Sequence, residues 1–112
     1  MDEQTTRFIE ILNRLRRGTL EGRVLWREAA DLPAAFVAPL DDGYRATVAR
    51  AANGTAVVVS LTNPAGVQTV HLDSSRAAHE HLRLALLQLY TSVRDTRAKQ
   101  IADEALDAVR RL

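Results

Sequence analysis

The first residues of the chain carry apolar side chains at helical spacing. A helix over residues 3–17 places four of them on one stripe, at positions i, i+3, i+4 and i+7. The four are Phe8, Ile11, Leu12 and Leu15. Acidic residues precede the stripe and arginines follow it, as the helix dipole favours. The pattern therefore predicts an amphipathic first helix that ends at Gly18, a residue type common at helix C-termini.

Residues 22–72 change to the alternation of apolar and polar positions that is typical of strands. A run of alternating apolar and polar residues precedes Asn53-Gly54, a dipeptide that favours a two-residue type I′ hairpin turn. Three consecutive valines follow within Thr55–Thr62, and because they are apolar on both faces they indicate a central strand. A second turn at residues 63–66, Asn-Pro-Ala-Gly, leads into a further strand over residues 67–72.

The strands ahead of this hairpin are less sharply marked. Residues 36–40 alternate, and the Asp-Asp-Gly that follows can turn the chain back. Pro39 lacks a backbone donor, so this run should be an edge strand or a loop. A short strand over residues 23–27 directs Trp26 inwards, and we expect Trp26 and Tyr44 in the core.

The last part of the chain, from Ser75 to Leu112, contains neither Gly nor Pro. A helix there can be capped by Asp73 or Ser74. One stripe of this helix should dock on the sheet, and its residues are Ala78, Leu82, Ala85, Leu86, Leu89 and Val93.

These elements predict an α+β fold in the order α–β(3–5)–α. The sheet should be an antiparallel meander with helices packed on one face, followed by a long C-terminal helix or a helical hairpin. We interpret residues 1–112 as one small domain. If the last helix is continuous, residues 95–112 form an extended helical interaction segment. If it breaks near Asp95-Thr96, they fold back onto the domain.

A second stripe lies on roughly the opposite side of the C-terminal helix and keeps heptad spacing to the end of the chain. We call it the seam, and its positions are Leu84, Leu87, Thr91, Arg94, Ala98, Ile101, Ala105, Ala108 and Leu112. A hairpin would cover the seam within the monomer, whereas a continuous helix would offer it to another chain. We interpret the seam as a protein interface, and a C2 homodimer is the expected assembly.

Composition changes this picture mainly by exclusion. Apolar residues make up 46% of the chain and charged residues 26%, as in ordinary globular proteins. The net charge is +1, so no long-range electrostatic field attracts nucleic acid or an anionic membrane. The absence of cysteine excludes disulfides and thiolate chemistry. Apolar runs are too short for a membrane span and no export signal opens the chain, so we expect a cytoplasmic protein. Among the 15 basic residues only Lys99 is not Arg, which is typical of a GC-rich bacterial genome.

Residue types that carry catalysis form no recognised arrangement. His79 and His81 are two apart on the predicted helix, so their rings should diverge, and His71 adds at most one more ligand. The serines lie outside any GxSxG elbow, and there is neither a P-loop nor a GxGxxG motif. We therefore expect no enzyme activity, no cofactor and no metal.

Nucleic-acid binding is the alternative function. The order of elements resembles that of double-stranded-RNA-binding domains, whose second helix opens with a lysine-rich phosphate clamp. Here the corresponding stretch carries only Arg76, and Glu80 would oppose a phosphate. The remaining candidate is a basic patch at the end of the first helix, made of Arg14, Arg16, Arg17 and Arg23. Dipole complementarity explains its helical half without a ligand.

The sequence thus favours a non-catalytic protein–protein interaction module, such as an adaptor, an immunity or inhibitor protein, or a regulatory subunit. Two observations motivate this hypothesis: catalytic motifs are absent, and the seam has no evident partner within the monomer.

Overall fold

The computed structural model describes residues 2–51 and 54–112, in which two helices flank a run of five strands. The helices are α1 (Glu3–Leu20) and α2 (Glu80–Arg110). The strands are β1 (Arg27–Glu28), β2 (Ala35–Pro39), β3 (Arg45–Arg50), β4 (Val57–Thr62) and β5 (Gln68–Asp73). The predicted α+β class is confirmed, and the C-terminal segment is one continuous helix, so the hairpin alternative is wrong.

Each strand pairs antiparallel with the next, which gives a meander in the order β1-β2-β3-β4-β5. Phe36 pairs with Val48, Val48 with Val59, and Val59 with Leu72, so these side chains form one row on the buried face. The predicted edge position of β2 is wrong, because β1 pairs with its first half. Pro39 lies beyond the end of β1, where its missing N–H costs no ladder bond.

The predicted type I′ turn includes Asn53, which lies outside the described residues. The strands on either side pair with Arg50 opposite Val57. The second predicted turn is confirmed: Gly66 has φ +83°, and its N–H donates to the Asn63 carbonyl oxygen at 2.9 Å. The Asn63 side chain also accepts from the N–H groups of Ala65 and Val67, which closes the turn.

The core lies between the sheet and the two helices. The predicted docking stripe of α2 is buried except for Ala78, which precedes the helix and is exposed. α1 contributes Leu12 and Leu15 and runs parallel to α2, since Arg16 hydrogen-bonds to Ser92 while α1's first half lies near His81. Burial of these side chains is the main favourable term in folding.

Glycine ends α1, but not at the predicted position. The helix continues through Gly18 to Leu20, and a Cβ on Gly18 would lie 2.7 Å from Val24 Cγ2. Gly22 has φ +77°, and the N–H groups of Gly22 and Arg23 donate to the Thr19 and Gly18 carbonyl oxygens. This is a Schellman motif centred on Gly22. Gly18 is therefore a close-packing position, and the stop lies four residues later.

The start of α2 also differs from its prediction. The N-cap is His79, whose Nδ1 accepts from the His81 N–H at 3.2 Å. Asp73 accepts from Ser75, and the Ser74 hydroxyl accepts from the Val57 N–H at 2.8 Å, so neither predicted cap is available. These bonds hold the connection between β5 and α2 against the sheet.

Two aromatic residues predicted in the core behave differently. Trp26 is buried, although it precedes β1, and its indole Nε1 donates to the Thr19 hydroxyl at 2.8 Å. Thr19 in turn donates to the Leu15 carbonyl oxygen at 2.7 Å. Tyr44 is 40% exposed, so its predicted place in the core is wrong. It lies at the end of the turn before β3, outside the paired segment.

We predict that Thr19→Val destabilises the protein by about 1–3 kcal/mol, the cost of leaving a buried donor unpaired. Valine preserves the shape of the side chain but removes the acceptor for the Trp26 indole N–H. Urea unfolding followed by Trp26 fluorescence measures the change. Thr19→Ser is the matched control, since it keeps the hydroxyl and should lose less. Equal stability of Thr19→Val and wild type would contradict the assigned hydrogen bond.

Leu86→Ala should cost about 2–5 kcal/mol, because a fully buried leucine is replaced and a cavity remains. Leu86 has no exposed surface in the core between α2 and the sheet. The control is Leu25→Ala, at an exposed leucine, with an expected change within about 0.5 kcal/mol. Chemical denaturation compares the two variants, and a similar effect at both positions would contradict the core assignment.

Candidate interaction surface on the C-terminal helix

α2 extends beyond the body of the domain. Its 31 residues span about 46 Å, and the molecule measures 56 × 31 × 27 Å. Residues 82–93 include all of its buried positions, whereas from Ala98 to Leu112 every residue except Gln100 is exposed. The first half of α2 thus closes the core, and the second half projects from it.

A two-point ion pair marks the place where α2 leaves the domain. Arg97 Nε lies 2.6 Å from Glu28 Oε2, and its Nη2 donates to Oε1 at 3.1 Å. The Arg97 side chain is only 17% exposed. These hydrogen bonds stabilise the ionised carboxylate and hold the pKa of Glu28 below its ordinary value. Contact with β1 therefore fixes the helix just past Asp95-Thr96, where the alternative interpretation placed a break.

The seam lies on one side of this continuous helix, and most of it is exposed. Leu84 is partly exposed beside α1. Leu87 is half-buried against the core, so it contributes to the domain core as well as to the predicted interface. The remaining predicted interface residues are exposed: Thr91, Arg94, Ala98, Ile101, Ala105, Ala108 and Leu112.

Heptad spacing missed three apolar residues of the projecting half. Ala102, Leu106 and Val109 lie beside the seam, and Leu106 and Val109 are 47% and 62% exposed. At 100° per residue, the apolar residues of this half occupy about 160° of the helix surface. We call them the apolar face of α2: Ala98, Ile101, Ala102, Ala105, Leu106, Ala108, Val109 and Leu112. A count of all apolar positions at 3.6-residue periodicity would have found this wider face.

Charged side chains occupy the other side of the same segment. Lys99, Asp103, Asp107 and Arg110 lie away from the apolar face, and Arg110 forms a loose pair with Asp107 at 3.9 Å. Such exposed pairs contribute little to stability. The apolar face points roughly opposite to the side on which α2 docks, so within the described residues the domain does not cover it.

The predicted basic patch is largely engaged by neighbouring side chains. Arg14 pairs with Glu10 at 3.4 Å, and Arg23 pairs with Glu21 at 2.7 Å. Arg16 donates through Nε to the Ser92 hydroxyl of α2 at 3.1 Å. The fourth residue of the patch, Arg17, is exposed in the last turn of α1. Three of the four guanidinium groups thus serve contacts within the chain.

The histidines lie closer together than the sequence suggested. The rings of His79 and His81 are 5.2 Å apart, because His79 caps α2 instead of belonging to it, so the predicted divergence is wrong. Within residues 2–51 and 54–112, no group of three or more potential metal-ligating side chains is present. His71 Nδ1 lies 3.1 Å from the Ser60 hydroxyl, across two neighbouring strands on the exposed face of the sheet.

Comparison of the chain with protein-family models, curated proteins and solved structures finds no match. The resemblance to double-stranded-RNA-binding domains is limited to the order of helices and strands, and the sheet here has five strands where the resemblance implies three. In the described part of the chain, no helix has both the length and the hydropathy to cross a membrane.

Glu28→Gln should lower stability near neutral pH, and the difference should disappear in acid. The pKa of Glu28 in the folded protein lies below its ordinary value of 4.5. Its ionised form therefore contributes stability above pH 4.5 that is lost as the pH falls through the folded-state pKa.

Urea unfolding of wild type and Glu28→Gln over a pH series measures this effect. Glu10→Gln is the control, because Glu10 pairs with Arg14 on the helix surface and should contribute only about 0.3–0.5 kcal/mol. A stability difference between wild type and Glu28→Gln that stays constant over the pH series would contradict the role given to the Arg97 contact.

Proposed function

We propose that this protein is a non-catalytic protein–protein interaction module that associates with itself through the apolar face of α2. An adaptor, an immunity or inhibitor protein and a regulatory subunit are roles of this class. The observation that carries the proposal is the wide apolar face on the projecting half of α2, where Ile101 and Val109 are 46% and 62% exposed.

Helix energetics supports a partner for this segment. Helices in proteins are stabilised mostly by packing of an apolar face. The projecting half of α2 continues the docked half, and its apolar face has no cover among the described residues. Contact with another chain would supply the missing packing and remove apolar surface from water.

The side chains on the face suit close packing between helices. Four alanines (98, 102, 105 and 108) let a second helix approach closely, and they are interspersed with larger residues. The larger residues are Ile101, Leu106, Val109 and Leu112. Burial is worth about 25 cal/mol per Å² of apolar surface, against an association cost of at least about 4 kcal/mol. A dimer of modest affinity is therefore expected.

Charge argues against nucleic acid as the partner of this face. Residues 98–112 carry three acidic and three basic side chains, so this segment has no net positive charge to attract phosphates. The predicted basic patch is mostly engaged within the chain, as described above. A protein partner with an apolar surface fits the helix better than a polyanion does.

The double variant Ile101→Asp/Val109→Asp should sediment as a folded monomer, while wild type sediments as a dimer at high concentration. Both positions are exposed, so the variant should retain its circular dichroism spectrum and unfolding midpoint at low concentration. Gln100→Asp is the control, because it adds one negative charge, as each of the two substitutions does, on the other side of the helix. Leu87 is left unchanged, since it also packs against the core.

Sedimentation equilibrium over a range of concentrations distinguishes the outcomes. A wild-type chain that remains monomeric at its highest soluble concentration would exclude self-association. Loss of the dimer in Gln100→Asp as well would show that added charge, and not the apolar face, is responsible.

A further inference from the structure

We infer that the partner of α2 is α2 of a second copy running antiparallel, with Arg94 of each copy facing Glu104 of the other. The inference rests on the proposed function and specifies its orientation and register. Its starting point is the single charged residue within the seam, Arg94. When two seams pack together, this charged guanidinium group lies at the contact between the helices.

A parallel pair of α2 helices gives the Arg94 guanidinium group an unfavourable position. In a parallel dimer, equivalent residues lie opposite one another, so Arg94 would face Arg94 in the middle of the apolar contact. Like charges brought together away from water repel each other strongly. An antiparallel pair separates the two arginines and brings each one beside a different part of its partner.

One antiparallel register matches the side chains of the seam from Leu87 to Leu112. It places Ala98 opposite Ile101 of the other copy, Thr91 opposite Ala108, and Leu87 opposite Leu112. In the first two layers a smaller residue meets a larger one, as close helix packing requires. The helices then overlap over residues 87–112, about 38 Å, with the two-fold axis between residues 99 and 100.

The same register gives Arg94 a partner of opposite charge. Arg94 lies opposite the small Ala105 of the other copy, which leaves room for its aliphatic stem. Glu104 is the next residue and borders the apolar face, within reach of the guanidinium group. Two-fold symmetry makes this contact twice, so the dimer contains two equivalent ion pairs.

Both groups are free to make this contact. Among the described residues Arg94 pairs with the adjacent Asp95, through Nε at 3.1 Å, and both side chains are more than half exposed. Within the described residues Glu104 forms no ion pair. The guanidinium group of Arg97 is paired with Glu28, which raises its pKa, and it is also close enough for the charge of Glu104 to raise that pKa further. An exposed neighbouring pair such as Arg94–Asp95 is weak and readily exchanged.

The folded domains lie mainly on the far sides of the two helices. Each domain packs on the side of α2 that carries Leu86 and Val93, roughly opposite to the seam, and α1 borders the first part of the seam through Arg16. When the two seams meet, the two domains therefore lie on the outer sides of the helix pair and at its opposite ends.

Introduced cysteines test the orientation, because the chain has none of its own. Thr91→Cys and a tagged Ala108→Cys chain are prepared separately, mixed and oxidised gently. We expect a disulfide between the two different chains and none within either single preparation, because equivalent Thr91 positions lie about 25 Å apart in this register. A disulfide requires Cα atoms within about 7 Å.

The outcomes separate the two proposals. Cross-links within each single preparation would show a parallel dimer and overturn the inference while the proposed function stands. A sedimenting dimer without any cross-link would overturn the register. A chain that sediments as a monomer would overturn the proposed function itself.

Charge reversal tests the ion pair independently. Arg94→Glu and Glu104→Arg should each raise the dimer Kd by about tenfold or more, because each places like charges together twice. The double variant Arg94→Glu/Glu104→Arg should recover most of the wild-type affinity. Both positions are exposed, so all three variants should fold, as circular dichroism checks. Failure of the double variant to recover would overturn the Arg94–Glu104 contact.

Discussion

Docking of one side of α2 on the sheet is the constraint on which the rest of the structure depends. Leu86, Leu89 and Val93 have no exposed surface, and they fix both the axis and the rotation of the helix. Because α2 is rigid and unbroken for 31 residues, that rotation also decides which side of its far half faces outward. The Arg97–Glu28 contact holds the last point of attachment.

The exposed apolar face follows from this constraint. A helix that passes straight from a domain core into solvent cannot fold back to cover its own second half. The described residues leave the apolar face of α2 exposed, and the proposed self-association would remove it from water. In the proposed dimer Arg94 acts on orientation, since a parallel arrangement would bring the two arginines together.

Elsewhere in the fold, small polar contacts set the ends of the elements. Thr19 links Trp26 to the last turn of α1, and Ser74 ties the start of the β5–α2 connection to β4. The Trp26 and Ser74 contacts each join a helix or strand to a connecting segment, so their effect is to hold that segment against the core. None of them is visible as a local pattern, because the partners are brought together only by the completed sheet and helices.

Hydrophobic periodicity, together with the turn sequences, was sufficient for the α+β class, the meander and the docking stripe of α2, because the buried side of an element repeats with that element's own geometry. Tertiary structure decided the ends and the continuity of the helices. Gly18 was needed for close approach to Val24, and Asp73 and Ser74 were engaged before they could cap α2. The Arg97–Glu28 contact similarly attaches α2 to β1 just past the point where a break was an alternative. The positions of helix ends depend on contacts between residues distant in the sequence. Local sequence therefore does not determine which of two suitable residues caps or ends a helix.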